Sequence, residues 1–291
     1  MVPRILAWIG SHSVMLCLSA VVICAAIWLA LEHRDEDTAR CTLISEQAGV
    51  VRMAAFAIKT RLDMPLTQAA IMARYDLGDY FQGQGEIGTV VDHLRSGLAS
   101  YPDVIAYTLV DAGGELVYAQ GVESDIGDTA INQSLAWAKQ LRLEADPHQT
   151  FPSVTVLTPS SVHAVIGALF PVLLMDETVG ALIVALDIRS AASETFGKDL
   201  GGPTGILFFM DPQGAIIYPR LDVEGASLPG LARMNLPDLA SRMRAAPQGY
   251  ATYSRNRGRF GFAHHRLLVS WQRVMVGQMS FMVCRVSMRD H

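Results

Sequence analysis

The sequence predicts an α+β protein: an N-terminal transmembrane helix, a long stalk helix, and two tandem units, each with an antiparallel sheet of about five strands. Three observations carry the prediction. The stretch LVDAGGELVYA, from Leu109, is echoed one hundred residues later by FFMDPQGAIIYP, which sets Asp111 on Asp211, Gly114 on Gly214 and Tyr118 on Tyr218. The elements that follow each hairpin recur in the same order and at similar spacing. Strand-like texture begins only after Asp103, and the chain before it reads as helix.

The first element is apolar. Val14 to Leu31 runs without a charge, long enough with the upstream ILAWIG to cross a hydrocarbon core of about 30 Å. Trp8 and Trp28 stand near its two ends, where indole rings favour the interface. No small-x-small site precedes the charged run EHRDEDTAR, so an uncleaved anchor over residues 1–34 is expected rather than a signal peptide. Arg4 lies on one side, and Arg34 and Arg40 lie among acids on the other, so flanking charge does not orient the span.

After the anchor, Leu43, Ile44, Val51, Ala54, Ala55, Ile58 and Leu62 recur at helical spacing and predict one long amphipathic helix. Pro65 is expected in the first turn of a following helix rather than inside this one. EIGTVVDHLRSGLASYP reads as a further helix ending at Pro102, which closes a helical region over 35–102. The first unit, 103–200, opens on the hairpin VIAYTLV-DAGG-ELVYAQ and continues through a helix, INQSLAWAKQLRLEA. Strands SVTVLT, VHAVIGALFPVLL and VGALIVALDI complete it. The second unit, 201–291, repeats this with ILFFM, DPQG and AIIYP, then LPGLARMNLPDLASRMRAA, then GYATYSRN, RFGFAHHRLLVS and MSFMVCRVSM. One D-x-x-G turn between apolar runs is common, but matched order across both halves is a repeat.

Composition excludes several functions. A net charge of −5 with interspersed signs, and no long basic block, argues against nucleic acid as a partner. No G-x-S-x-G elbow, phosphate loop, H-E-x-x-H or calcium-loop pattern appears, so no catalytic residues and no cofactor are expected. His264 and His265 are adjacent on a predicted strand and point to opposite faces, a poor grip for one metal ion. Cys17 and Cys24 fall in the apolar span, and Cys41 and Cys284 belong to no ligand pattern, so unrelated thiols are the simplest reading.

An anchor, a stalk helix and two such units resemble the double Cache (dCache) domains, PAS-like modules of bacterial extracytoplasmic sensors. The most telling stretch is FPVLLMDETVGALIVALDI, followed by a helix and then TGILFFMDPQGAIIYP. The resemblance implies a single-pass protein of the bacterial inner membrane with its C-terminal domain in the periplasm. It also implies that the membrane-distal unit, 103–200, binds a small molecule between its sheet and the overlying helix and loops. Asp187 matches the position whose carboxylate holds a ligand's amino group in amino-acid-sensing members. Trp137, Lys139 and Arg142 stand where that class carries an Arg and aromatic signature, but at different spacing, so the ligand is left as an organic acid or an amine. Tyr107 and Tyr118 flank the first turn on strands and are candidates to line the same pocket, although buried sheet tyrosines more often serve the core, and the match of Tyr218 to Tyr118 favours that structural role. The chain stops at SMRDH straight after the last strand, without a kinase or cyclase segment. The output is therefore expected in a separate partner such as a histidine kinase or cyclase, with homodimerisation through the stalk helix. The alternative is a non-sensing periplasmic scaffold or assembly subunit whose pocket has filled with side chains.

Overall fold

The computed structural model describes residues 34, 38, 41–81, 87–141, 153–159, 164–175, 177–200, 205–211, 214–218, 236–255 and 265–289. The expected anchor lies outside them, apart from Arg34. Contacts divide the chain between Gln47 and Ala48, and both sheets belong to the second unit, Ala48–His291.

A continuous helical run extends from Cys41 to Phe81. It consists of α1 (41–71), a π-turn at Met72–Asp76 and α2 (Leu77–Phe81). The helix passes unbroken through Pro65, contrary to the expected boundary there. Proline removes one backbone donor and crowds the carbonyl four residues back. Here, however, Leu62, Pro65, Leu66 and Ala69 are all buried, so packing on both sides holds the turn. The irregularity falls instead at the π-turn, seven residues on.

This run is long and apolar enough to cross a membrane by length and composition, and one face of it packs into the core. Val51, Ala54, Ile58, Leu62, Ala69, Met72 and Leu77 are at most 1% exposed and share one core with the sheets. Met53, Phe56, Met64, Ile71 and Tyr75 are 46–73% exposed. At 100° per residue they form a second apolar stripe on the opposite side of the helix. Two apolar stripes explain why the composition mimics a span.

Helix α3 (Ile87–Ser100) leads into β1 (Val104–Asp111) and β2 (Leu116–Gly121), then α4 (Asp125–Leu141). Strands β3 (Ser153–Pro159), β4 (Ala164–Leu174) and β5 (Glu177–Asp187) complete the first sheet. Helix α5 (Ile188–Leu200) connects to β6 (Gly205–Met210) and β7 (Ile216–Tyr218). Then come α6 (Leu236–Ala245), β8 (Gln248–Arg255), β9 (His265–Val276) and β10 (Met279–Arg289). Strand β9 continues through WQRVMV, past the expected end at Ser270, to the turn at Gly277.

The two sheets have one topology. Each has five strands, in the orders β2-β1-β5-β4-β3 and β7-β6-β10-β9-β8, with every neighbouring pair antiparallel. Their opening turns match bond for bond. Gly114 N–H donates to Asp111 O at 3.0 Å, and Glu115 N–H donates to Asp111 Oδ1 at 2.9 Å. Gly214 N–H donates to Asp211 O at 3.1 Å, and Ala215 N–H donates to Asp211 Oδ1 at 2.7 Å. Gly114 and Gly214 have φ of 79° and 94°, a region that costs a residue with a Cβ about 1–2 kcal/mol. The pairing register shifts between Leu109 and Val110, and likewise between Phe209 and Met210.

One core runs through both sheets. It holds Tyr107, Leu109, Phe170 and Leu182 of the first and Leu207, Phe209, Phe281 and Val283 of the second, along with α1 and α5. Phe196 on α5 packs edgewise on Phe209, with ring centroids 6.2 Å apart, and Phe209 stacks on Phe281 at 5.3 Å. Each fully buried side chain of this size contributes about 1.5–3 kcal/mol.

Candidate functional site

The first sheet is covered on both faces, which is why β4 and β5 read as nearly unbroken apolar runs. One face carries Val104, Tyr107, Leu109, Phe170, Leu182 and Val184, in the core shared with α1, α2 and α3. The other carries Ala106, Val110, Val165, Leu169, Ala181, Ile183 and Ala185, packed beneath α4. Along α4 the fully buried side chains are small, flanked by the partly buried Ile131, Leu135 and Trp137. Ala130, Ser134 and Ala138 recur every four residues, all within 1% of full burial. At its start, a Cβ on Gly127 would lie 2.3 Å from Val122 O, so only glycine lets the chain approach this closely.

Two hydroxyls are trapped in this interface. Thr108 stands between Ala106 and Val110 on β1, and Ser134 stands between Ala130 and Ala138 on α4. Both fall between the same two apolar clusters. Thr108 is 0% and Ser134 1% exposed, and neither side-chain oxygen has a hydrogen-bond partner. A buried polar group without a partner costs about 1–3 kcal/mol, so a pair at one level of one interface calls for a reason.

The residues singled out from the sequence divide between the faces. Tyr107 is fully buried on the α1/α3 side, where its hydroxyl would meet a Cβ on Gly97 of α3 at 3.0 Å. That hydroxyl has no partner, and burial, then Tyr101, pushes its pKa up to about 12. Tyr118 pairs with Leu109 and packs against the same core, donating to Gln120 Oε1 at 2.9 Å. Trp137 is on the opposite side, packed against both apolar clusters under α4. Lys139, also on α4, is exposed, its Nζ 3.1 Å from Glu115 Oε1. Arg142 lies outside the described residues.

Asp187 ends β5 opposite Val165, on the α4 side by register. Its Oδ1 accepts from Arg189 N–H at 3.0 Å and Ser190 N–H at 3.2 Å, capping the start of α5. Its own amide donates to Asp103 O at 2.9 Å. Asp103 in turn takes a two-point contact from Arg61 of α1, through Nε to Oδ2 and Nη2 to Oδ1. Sequence reasoning did not single out this pair. The partners are 42 positions apart, and nothing local links a stalk arginine to the residue before a strand. Thr108 and Ser134 were missed for a related reason. A hydroxyl every few residues is ordinary, and only burial from both sides makes these two unusual.

No sequence-family profile matches the chain, and no curated protein sequence does. Solved structures match over most of its length. The structure titled "Methyl-accepting Chemotaxis protein X" superposes with a TM-score of 0.59 at 9% identity, covering 87% of this chain and 100% of that one. The ligand-binding domain of the Campylobacter jejuni chemoreceptor Tlp3, solved in complex with L-valine, gives 0.58 at 12%, covering 87% and 95%. The extracellular domain of a histidine kinase gives 0.58 at 12%, covering 84% and 91%. The chain has the fold of a double Cache extracytoplasmic sensor domain. Its two sheets are the tandem PAS-like units of that fold, each closed by its own helix, α4 over the first and α6 over the second.

Proposed function

We propose that the protein is a membrane-anchored periplasmic sensor that binds a small molecule in its distal Cache unit, residues 103–200, and signals to a partner protein. The observation that carries this reading is the buried, unpartnered pair Thr108 and Ser134 between α4 and the sheet, beside Trp137. A small polar ligand seated there would satisfy both hydroxyls and stack an apolar edge on the indole. Similarity to ligand-binding sensor domains supports the same reading through the fold.

Signal transfer follows from the hydrogen bonds already described. Moving α4 against β1 and β5 displaces Asp187, which is tied through its amide to Asp103 and thence to Arg61 on α1. The carboxylate of Asp187 also caps α5, which packs on Phe209 in the proximal sheet. A ligand acts through this chain only by its preference for one arrangement over the other. The exposed stripe Met53, Phe56, Met64, Ile71 and Tyr75 suits parallel association of two stalk helices. Phe56→Glu together with Ile71→Glu is expected to convert such a dimer to monomer in light scattering.

The test of binding is a thermal-shift screen of the full chain in detergent against small organic acids, amines and amino acids. A ligand at a hundred times its Kd adds about 2.7 kcal/mol and raises the midpoint by several degrees. Ser134→Leu, which fills the interface, is expected to abolish that shift. A library that leaves the midpoint unmoved sinks the sensor reading. One observation favours the second reading, a scaffold with a filled pocket: Ala130 and Ala138 on α4 already meet the sheet closely. That reading predicts no shift with any compound, together with a specific protein partner recovered by crosslinking.

A further inference from the structure

The proximal sheet presents a different surface to its covering helix. Phe208, Met210, Met282, Cys284 and Val286 face α6, where Leu239 and Met243 meet them. Met282 pairs directly with Met210, and Cys284 stands two residues farther along the same face of β10. Cys284 Sγ lies 3.9 Å from Met210 Sδ and 3.9 Å from Met243 Sδ. All three residues are at most 2% exposed. One thiol proton can serve only one thioether, so at least one of these contacts sets sulfur against sulfur with no hydrogen between them.

The spacing has a chemical meaning. An ion bonded to three sulfurs at about 2.3 Å in a trigonal plane holds those sulfurs about 4.0 Å apart. Both measured edges of the triangle agree with that. Thiolate and thioether are soft donors, the set that selects Cu(I) over harder ions. Charge points the same way. A monovalent ion with one thiolate and two neutral thioethers is neutral overall, whereas a divalent ion would leave a net charge in a fully buried apolar site.

We propose that Met210, Met243 and Cys284 form a binding site for a soft monovalent metal ion, Cu(I) or Ag(I), inside the proximal unit. On binding, the thiol proton leaves to solvent as the sulfur–metal bond forms, and no electron is transferred. A cavity of about 180 Å³ adjoins the site, with Met210, Met243 and Met282 in its wall beside Asp211, Arg273 and Ser280. The cavity reaches the two thioether residues of the site, and its wall includes a third methionine, Met282. The ligands come from β6, β10 and α6, so the ion ties helix to sheet. Among the described residues no group of three His, Cys, Asp or Glu offers a metal site, which leaves the sulfur set without a competitor of that kind. The site is separate from the distal interface, and its test does not depend on what binds there.

The full chain carries four cysteines, so the test uses Cys17, Cys24 and Cys41 replaced by Ser. In detergent, Ag(I) is titrated by calorimetry, and Cu(I) is titrated under ascorbate against a chromogenic chelator. One equivalent is expected to bind, with a raised thermal midpoint and altered emission from Trp271, the cross-strand partner of Cys284. Zn(II) is expected to leave all three readouts unchanged. Cys284→Ser and Met243→Leu should each weaken binding by more than the roughly 10–100-fold that loss of an outer-shell contact costs. Met243→Leu conserves volume and keeps the core packed, so it decides the matter if Cys284→Ser fails to fold. Failure to bind one equivalent, or binding undiminished in Met243→Leu, overturns the proposal.

Discussion

The two five-stranded units share a strand order, a turn and a register shift, yet the surfaces they turn to their covering helices have little in common. Pairing Val110 with Ala181 and Met210 with Met282 fixes the equivalence between them. Thr108, Val110, Ala181, Ile183 and Ala185 in the first unit then correspond to Phe208, Met210, Met282, Cys284 and Val286 in the second. Aliphatic side chains and the Thr108 hydroxyl meet Ala130, Ser134 and Ala138 of α4. Aromatic and sulfur-bearing side chains meet Leu239 and Met243 of α6. Topology is held by backbone hydrogen bonds and turn geometry, which tolerate any side chain of the right polarity. The face beneath each helix can change freely while the ladder stays fixed.

The largest effect expected from that difference concerns the stalk contact. Arg61→Leu leaves the 4%-exposed Asp103 without its partner and should cost about 3–5 kcal/mol. One hundred residues on, the sequence has Pro203, which carries no carboxylate. Hydrogen exchange should show β1 and α5 losing protection before the proximal sheet does. Equal loss in both sheets would break the comparison.

Overpacking comes next. Ser134→Leu forces extra volume between α4 and the sheet and is expected to cost about 1–3 kcal/mol. The volume-conserving Met243→Leu under α6 should cost less than about 1.5 kcal/mol. Denaturant midpoints at constant slope would measure both, and a reversed order would show that the distal interface is the roomier one. The turns provide the internal control. Gly114→Ala and Gly214→Ala each force a Cβ into positive φ and should cost the same, about 1–2 kcal/mol. Unequal costs would mean that the turns differ in more than sequence.

The smallest effect isolates Tyr107. Tyr107→Phe removes an unpartnered buried hydroxyl and should be neutral or stabilising by about 1 kcal/mol. Its pKa is raised from 10 to about 12 in the fold. Between those values the unfolded chain loses the proton first, so this residue's contribution is fully present below pH 10 and is lost as pH rises through 12. The variant should therefore lose stability less steeply than the parent across that window in alkaline denaturation. Identical slopes would place the ring in a wetter site than described.

Much of the fold was legible in one dimension. The repeated D-x-x-G fixed both hairpins because positive φ and an Asp side-chain acceptor are local demands, met by local residues. Strand positions followed from apolar runs between turns, and the core stripe of α1 followed from helical spacing. The site was far less legible. Tyr107 and Tyr118 frame the turn beside Asp111, but they face α1 and α3, while Trp137 lies across the sheet from them. Alternation assigns residues to two faces without saying which helix covers each, and here both faces are apolar. A register shift between Val104 and Ala106 further offsets the pattern at the head of β1.

The sequence by itself determined the elements, their order and their repetition, because turns, periodicity and capping act over a few residues. Only the tertiary structure joined Arg61 to Asp103, set Thr108 beneath the helix that carries Ser134, carried α1 through Pro65 and drew two thioethers onto Cys284. These are contacts between positions dozens of residues apart. Their energies come from burial and from partners that no local pattern specifies.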